Sequence, residues 1–331
     1  MRRAILRHVR RLAAAFALAG TALAGEGCSG ADQAVLIGGK KVDPTEIDRD
    51  PVALLPGGIV VFGTLDGPSI FQSSYGGDLS GLIATVLPLG AESGFVASRD
   101  VQRVLGGAYA MQGADFCVVV QGNFDVDAIQ RAAASRAVTI AGAPMVRSRY
   151  AESDLYTVGN LGFTVLTGHT VLSGNETGIR RALDRLRFGK LERSVPAWMV
   201  DLGKSPGAAF TVAGDLGTQA VADATARQVP FLVGLKLVRV IGNFQPPGMN
   251  VAGTLSYADA DAAGRAAPVM RDLQRMTQML SLFTSWGWGA VPTPQIQPQG
   301  ADVAFTMPVE DAFVHTLLRM AADSMRTRPR G

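Results

Sequence analysis

The sequence predicts an α+β protein: antiparallel sheets with helices packed on one face, arranged as two similar, ferredoxin-like units that read as a duplication. Three observations predict this. Phe116-Cys117-Val118-Val119-Val120 is a fully apolar run of strand-forming residues. After Pro144 come three short extended runs, Val146–Tyr150, 155–158 and 163–166, the last paired back to Val171-Leu172. Ile179, Ala182, Leu183 and Leu186 then fall at i, i+3, i+4 and i+7, one apolar stripe on a helix over Glu176–Arg187. Strand, helix, several strands and helix is the order of a split β-α-β unit.

Before this unit, residues 69–87 read as a broken helical segment interrupted by Gly76-Gly77 and Gly81, and Ser98 is placed to cap a helix over 99–105. Gly122-Asn123 turns the valine run into a short helix opened by Asp125. Gly168, within Thr167-Gly168-His169-Thr170, suits the first central position of a type II′ hairpin. Asn175 caps the 176–187 helix and Gly189 ends it. The second half opens near Ala197 and gives a helix over 218–227 stopped by Pro230. Two strands follow, 235–241 and 250–257, then a long helix over 261–283 in which Pro268 makes a kink or marks the first turn. A loop with Trp286-Gly287-Trp288-Gly289 leads to a strand over 303–307 and a helix over 310–325. The duplication rests on echoes: Pro56-Gly57 before a valine strand, matched 150 residues on by Pro206-Gly207, and Gly122-Asn123-Phe124 matched by Gly242-Asn243-Phe244. Common turn chemistry before a strand explains the same likeness.

The N-terminus carries an address. Arg2, Arg3, Arg7, Arg10 and Arg11 precede thirteen mostly small and apolar residues, 12–24, ending in Ala22-Leu23-Ala24. Thirteen helical residues reach only about 20 Å, short of a hydrocarbon core of roughly 30 Å, so a secretory signal fits better than a permanent span. Gly27-Cys28-Ser29 resembles the cleavage box of bacterial lipoproteins, whose cysteine is lipidated and becomes the mature N-terminus. Glu26 and Gly25 depart from that pattern, and cleavage after Ala24 is the alternative. The resemblance implies lipidation at Cys28, and Ser29 beside it implies the outer membrane, facing the periplasm. Without the lipid, a soluble periplasmic protein with a Cys28–Cys117 disulfide is the other outcome. The organisation is therefore signal 1–24, flexible tether 25–50, first α+β unit 51–196, second unit 197–325 and basic tail 326–331.

Removing residues 1–24 takes away five arginines and no acidic residue, leaving 26 basic against 28 acidic groups. The formal +3 of the whole chain is thus a property of the signal, and nucleic acid is not an expected partner.

Chemistry-bearing residues are sparse. The histidines are His8, His169 and His315, and with Cys28 and Cys117 they lack the parts of a zinc site or a histidine-paired nucleophile. No serine sits in a Gly-x-Ser-x-Gly elbow. Gly203-Lys204-Ser205 ends like a phosphate loop, but Trp198 fills the required first glycine. Asp259, Asp261 and Gly264 start like a calcium loop, but Ala263 and Met270 occupy ligand positions. Glu152 and Asp154 form a carboxylate pair better suited to a turn. No catalytic, cofactor or metal site is expected. Two interaction surfaces are: the basic helix with Arg181 and Arg185, read as a solvated face or a contact for anionic lipid heads, and Trp286 with Trp288, read as packed back or as an anchor at a partner.

The whole layout, Leu55-Pro56-Gly57, Ser173-Gly174-Asn175 into residues 179–186, and Tyr257-Ala258-Asp259 into Ala262, resembles families of exported bacterial proteins with a lipoprotein-like start and α+β repeats. The resulting expectation is a non-enzymatic envelope protein that binds or scaffolds an envelope partner; the alternative is a periplasmic carrier of a lipid or other hydrophobic molecule between the two units. If the 179–186 stripe is core, Leu183→Ala costs about 2–5 kcal/mol, read from the urea midpoint at constant m-value.

Overall fold

The computed structural model describes residues 42–87, 89–110, 115–135, 139, 143–158, 161–219, 230–245, 248–283 and 294–326. The signal, most of the tether, the helix expected over 218–227, the tryptophan loop and the end of the basic tail lie outside them. In chain order the elements are α1 (Pro44–Arg49), β1 (Val61–Asp66), α2 (Gly67–Phe71), α3 (Gly76–Val86), α4 (Ala97–Asp100), β2 (Val101–Ala108), β3 (Phe116–Gly122) and α5 (Val126–Ser135). There follow β4 (Val146–Tyr150), β5 (Ser153–Val158), β6 (Leu161–Val165), β7 (Thr170–Gly174), α6 (Glu176–Arg187), α7 (Ala197–Leu202) and β8 (Phe210–Asp215). The chain closes with β9 (Leu235–Gln245), β10 (Gly248–Tyr257), α8 (Ala260–Phe283), β11 (Gln295–Gln299), β12 (Asp302–Glu310) and α9 (Asp311–Arg326).

The chain is α+β and divides into two units. Among the described residues, the first comprises 42–59 and those within Ile83–Pro196; the second comprises Val60–Leu82 and those from Ala197 on. The units divide between Pro196 and Ala197, and β1 and α2 belong with the part that follows. The reason is hydrogen bonding: β1 pairs antiparallel with β8, Val61 opposite Gly214 through Leu65 opposite Phe210. The two Pro-Gly-led strands that suggested a duplication are direct neighbours in one sheet, with the buried Thr64 and Thr211 hydroxyls hydrogen-bonded at 2.8 Å.

In the first unit the strand order is β2-β3-β7-β6-β5-β4, with every neighbouring pair antiparallel. A ferredoxin-like unit splits its β-α-β by a single antiparallel strand; here β4 to β7 run as a meander, so three strands, β7, β6 and β5, lie between β3 and β4. Helix α6 lies on β3, β6 and β7, burying Ile179, Ala182 and Leu183, the last only 1% exposed. Gly178 permits the approach, because a Cβ there would meet the Phe116 carbonyl oxygen at 2.1 Å. In the second unit the order is β11-β12-β10-β9-β8-β1, again antiparallel within the unit. Val251, Leu255 and Tyr257 alternate onto one face of β10. Leu255 and Tyr257 pack with Ala263, Ala266 and Ala267 of α8, and Val251 packs with Ile70, Tyr75, Leu79 and Val314 of the α2–α3 segment and α9. Helix α7 covers a patch of the opposite face, where Arg239 stacks on Trp198 and Gly203 sits against Phe62 and Thr64. Pro268 lies inside α8, which runs unbroken through it from Ala260.

Two local expectations are corrected. The helix over 99–105 is a single turn, α4, followed by strand β2, because Val101 to Ala108 find ladder partners in β3 that outweigh the cap signal. The 167–170 turn is not type II′: Gly168 is absent from the positive-φ glycines, and the Thr167 hydroxyl instead accepts from His169 N at 3.0 Å and Thr170 N at 2.9 Å.

The β4–β5 hairpin turns through Ala151 and Glu152 at φ of 47° and 64°, a left-handed pair for which neither side chain is suited. Exchanging them together, Ala151→Asn with Glu152→Gly, is expected to raise stability by about 0.5–1 kcal/mol, seen as a higher urea midpoint; an unchanged or lower midpoint contradicts it.

Candidate functional site

Helix α6 holds the first unit's concentration of charge. Its N-terminus is fixed by Asn175, whose side-chain oxygen accepts from Gly178 N at 3.2 Å and Phe116 N at 3.0 Å while its amide donates to Asp115 at 2.9 Å. With the apolar stripe turned to the sheet, the arginines project from the other side. They do not form a freely solvated face. Arg181 donates to the Gly57 carbonyl at 2.9 Å and lies over the Tyr109 ring at 4.6 Å. Arg185 donates to the Ala53 carbonyl at 3.3 Å and also to the Glu192 carbonyl. Arg193 reaches Asp50 at 2.8 Å. These guanidinium groups fasten the segment 50–57 and the return after α6 to the helix, a use of the planar donor fork that lysine does not reproduce. Both residues singled out from the sequence, Arg181 and Arg185, therefore have structural partners, although Arg181 stays exposed.

Beneath Arg181 lie two buried reactive groups. Burial pushes the Cys117 thiol up to about 12, with Arg181 pulling weakly the other way, so it is an inert core group. Burial likewise raises the Tyr109 phenol far above its ordinary value, and its hydroxyl has no hydrogen-bond partner among the described residues.

Further along, Arg180 pairs with Glu176 at 2.5 Å and stacks on Tyr150 at 4.8 Å, and the Tyr150 hydroxyl donates to Asp184 at 3.0 Å. This ties the β4–β5 hairpin to α6. Asp154 accepts from Arg147 at 2.6 Å; it is bound in the hairpin, and Glu152 occupies the turn, so the two carboxylates decorate a hairpin tip.

The second unit contains a polar cluster that the sequence did not suggest. The His315 ring lies between Asp78, 2.5 Å from Nδ1, and Asp311, 3.4 Å from Nε2, and Arg319 is 3.6 Å from Asp78. Ser74 donates to Asp311 at 2.6 Å. The Tyr75 ring, 1% exposed, lies 5.1 Å from the His315 ring and tilted 58° to it, and burial with the neighbouring Asp311 carboxylate raises its phenol to about 12, although no hydrogen bond of good geometry joins them. The partners are 237 residues apart, so no spacing in the sequence could reveal them. The serine hydroxyl faces a carboxylate and not the imidazole, which is a clasp between α9 and the 74–78 segment and not a nucleophile–base pair.

His169, on the 167–170 turn, places Nδ1 3.1 Å from the Gly122 carbonyl. Cys28, Trp286 and Trp288 lie outside the described residues. Among the described residues no cluster of His, Cys, Asp and Glu suits a metal ion, and no helix is long and apolar enough to cross a membrane.

No protein-family model and no curated protein matches the chain. Its fold is similar to that of TP0453. Crystal form III of that protein superposes with a TM-score of 0.53 at 8% identity, over 81% of this chain and 97% of that one. Crystal form I gives 0.50 at 10% identity, over 82% and 97%. At such identity the likeness is one of fold alone, and it spans both units.

The Ser74 hydrogen bond, opposed by burial and reinforced by Tyr75 and His315, holds the Asp311 carboxyl below its ordinary value. A depressed carboxylate stabilises the fold above its unfolded pKa of about 3.9, and the contribution disappears as pH falls through the lower folded value. Ser74→Ala is therefore expected to lower stability at pH 7 and to flatten the loss between about pH 5 and pH 2, measured by urea titration at each pH. An equal slope in both proteins excludes the coupling.

Proposed function

We propose that this is an exported cell-envelope protein, held to the membrane by lipid on Cys28, that works by binding or scaffolding a partner and not by catalysis. The observation that carries the reading is the N-terminal layout: five arginines, a thirteen-residue apolar stretch, Gly27-Cys28-Ser29, and about twenty polar and glycine-containing residues before the first described helix. The engagement of the reactive and charged side chains supports it. Cys117 is buried with a raised thiol pKa, Ser74 is bound to a carboxylate, and the α6 arginines hold backbone carbonyls. Each is engaged in holding the fold.

Intact-mass analysis of the protein purified from membranes is expected to show a chain beginning at a diacylglyceryl-modified Cys28, and Cys28→Ala is expected to move it to the soluble fraction. A chain retaining Met1 ends the export reading. A chain beginning at Gly25 with an unmodified thiol ends the anchor and leaves export standing.

A further inference from the structure

The last strand in the first unit's order, β4, is unusual for its exposure. Val146, Arg147, Ser148 and Arg149 are all exposed, and Val146, at 60%, is the most exposed large apolar residue among those described. Its ladder to β5 fixes which backbone groups are free. A two-residue loop with both φ positive closes on a hydrogen-bonded pair, here Tyr150 with Ser153. Alternation along an antiparallel ladder then makes Ser148–Leu155 and Val146–Thr157 the bonded pairs. The N–H and C=O groups of Arg147 and Arg149 therefore point away from β5, and no described strand pairs with them.

Proteins normally blunt such an edge. The terminal strand of the second unit, β11, does so with Pro298. Strand β4 has no proline, no glycine and no break in register. It carries instead two arginines on one face, Arg147 bound to Asp154 and Arg149 without hydrogen bond or ion pair among the described residues. The hairpin bearing the edge is fastened to α6 through Tyr150, Arg180 and Asp184, which preorganises it as a template.

The charges choose the occupant. A second copy pairing antiparallel about Ser148 would set Arg147 against Arg149 of the other copy, twice over, and directly opposed like charges destabilise a strand pair. We infer that β4 is the docking edge for an extended segment of a partner protein in which acidic residues two apart lie opposite Arg147 and Arg149, with apolar strand-formers at the intervening position opposite Ser148 and the flanking one opposite Val146. This gives the proposed binding role its surface, and it is independent of how the N-terminus is processed.

The test uses the purified mature chain in detergent and a fluorescent peptide of alternating glutamate and valine, read by anisotropy, with the lysine–valine peptide as control. The glutamate peptide is expected to bind saturably and at least tenfold tighter than the lysine peptide at low salt. Arg149→Pro removes an outward N–H and a charge while sparing the inner ladder, and is expected to weaken binding roughly tenfold with an unchanged circular-dichroism spectrum. Arg147→Glu with Arg149→Glu is expected to invert the preference; it decides alone if the proline variant unfolds. Equal binding of both peptides, or full affinity in Arg149→Pro, overturns the inference. A dimer in sedimentation equilibrium that Arg149→Pro dissolves also overturns it, because the edge would then belong to a second copy. None of these outcomes bears on Cys28, so the anchor stands or falls on the mass measurement.

Discussion

The first unit depends on one side chain. Asn175 satisfies the N-terminus of α6, accepts the Phe116 N–H at the start of β3 and donates to Asp115, so helix, strand and cap share one hydrogen-bonded point. The helix can be that close only because residue 178 is glycine. Once the N-terminus is pinned, the 100° step per residue dictates that Ile179, Ala182 and Leu183 enter the sheet and that Arg181 and Arg185 meet the chain at 53–57. Buried apolar area supplies the energy of that contact, and the polar point sets its orientation.

From this follows the division of labour among the arginines. Arg181, Arg185 and Arg193 are spent on carbonyls and a carboxylate that would otherwise hold the pre-β1 segment only weakly. Arg180 locks the β4–β5 hairpin through Tyr150. Arg149 and the outward backbone of β4 take no part in this clamp. The basic helix visible in the sequence is thus an internal clamp, and the available edge lies about thirty residues before it, outside that patch.

The sequence discloses what local periodicity can encode. The α6 stripe, its Asn175 cap and the successive strands of the meander after Pro144 are legible because each element is specified within about a dozen residues. Strand β2 is not: Val101, Val104 and Leu105 sit at helical spacing, and only the ladder to β3 makes them a strand. Arg181 was visible as a charge, but its carbonyl partner lies 124 residues earlier. The His315 clasp spans 237 residues. The β4 edge had a signal, a strand-length run with arginine at alternate positions and no continuous apolar face, but whether such a strand is terminal is a property of the whole order.

The pairing of β1 with β8 has a consequence for how the fold can be reached. It joins Val61 to Gly214, enclosing about 150 residues, and on the loop-closure scale this costs about 2 kcal/mol more than a ten-residue hairpin. The first unit's ladders, by contrast, are mostly hairpins within residues 101–174. Because 83–196 lies wholly inside the β1–β8 loop, folding it first replaces a long flexible closure by a shorter one and lowers the entropy lost when β1 meets β8. The order of assembly that loop entropy favours is therefore first unit, then β1 onto β8. The Thr64–Thr211 hydrogen bond buried at that seam forms only when the two strands are in register, since a slip of one residue would put the two hydroxyls on opposite faces of the sheet.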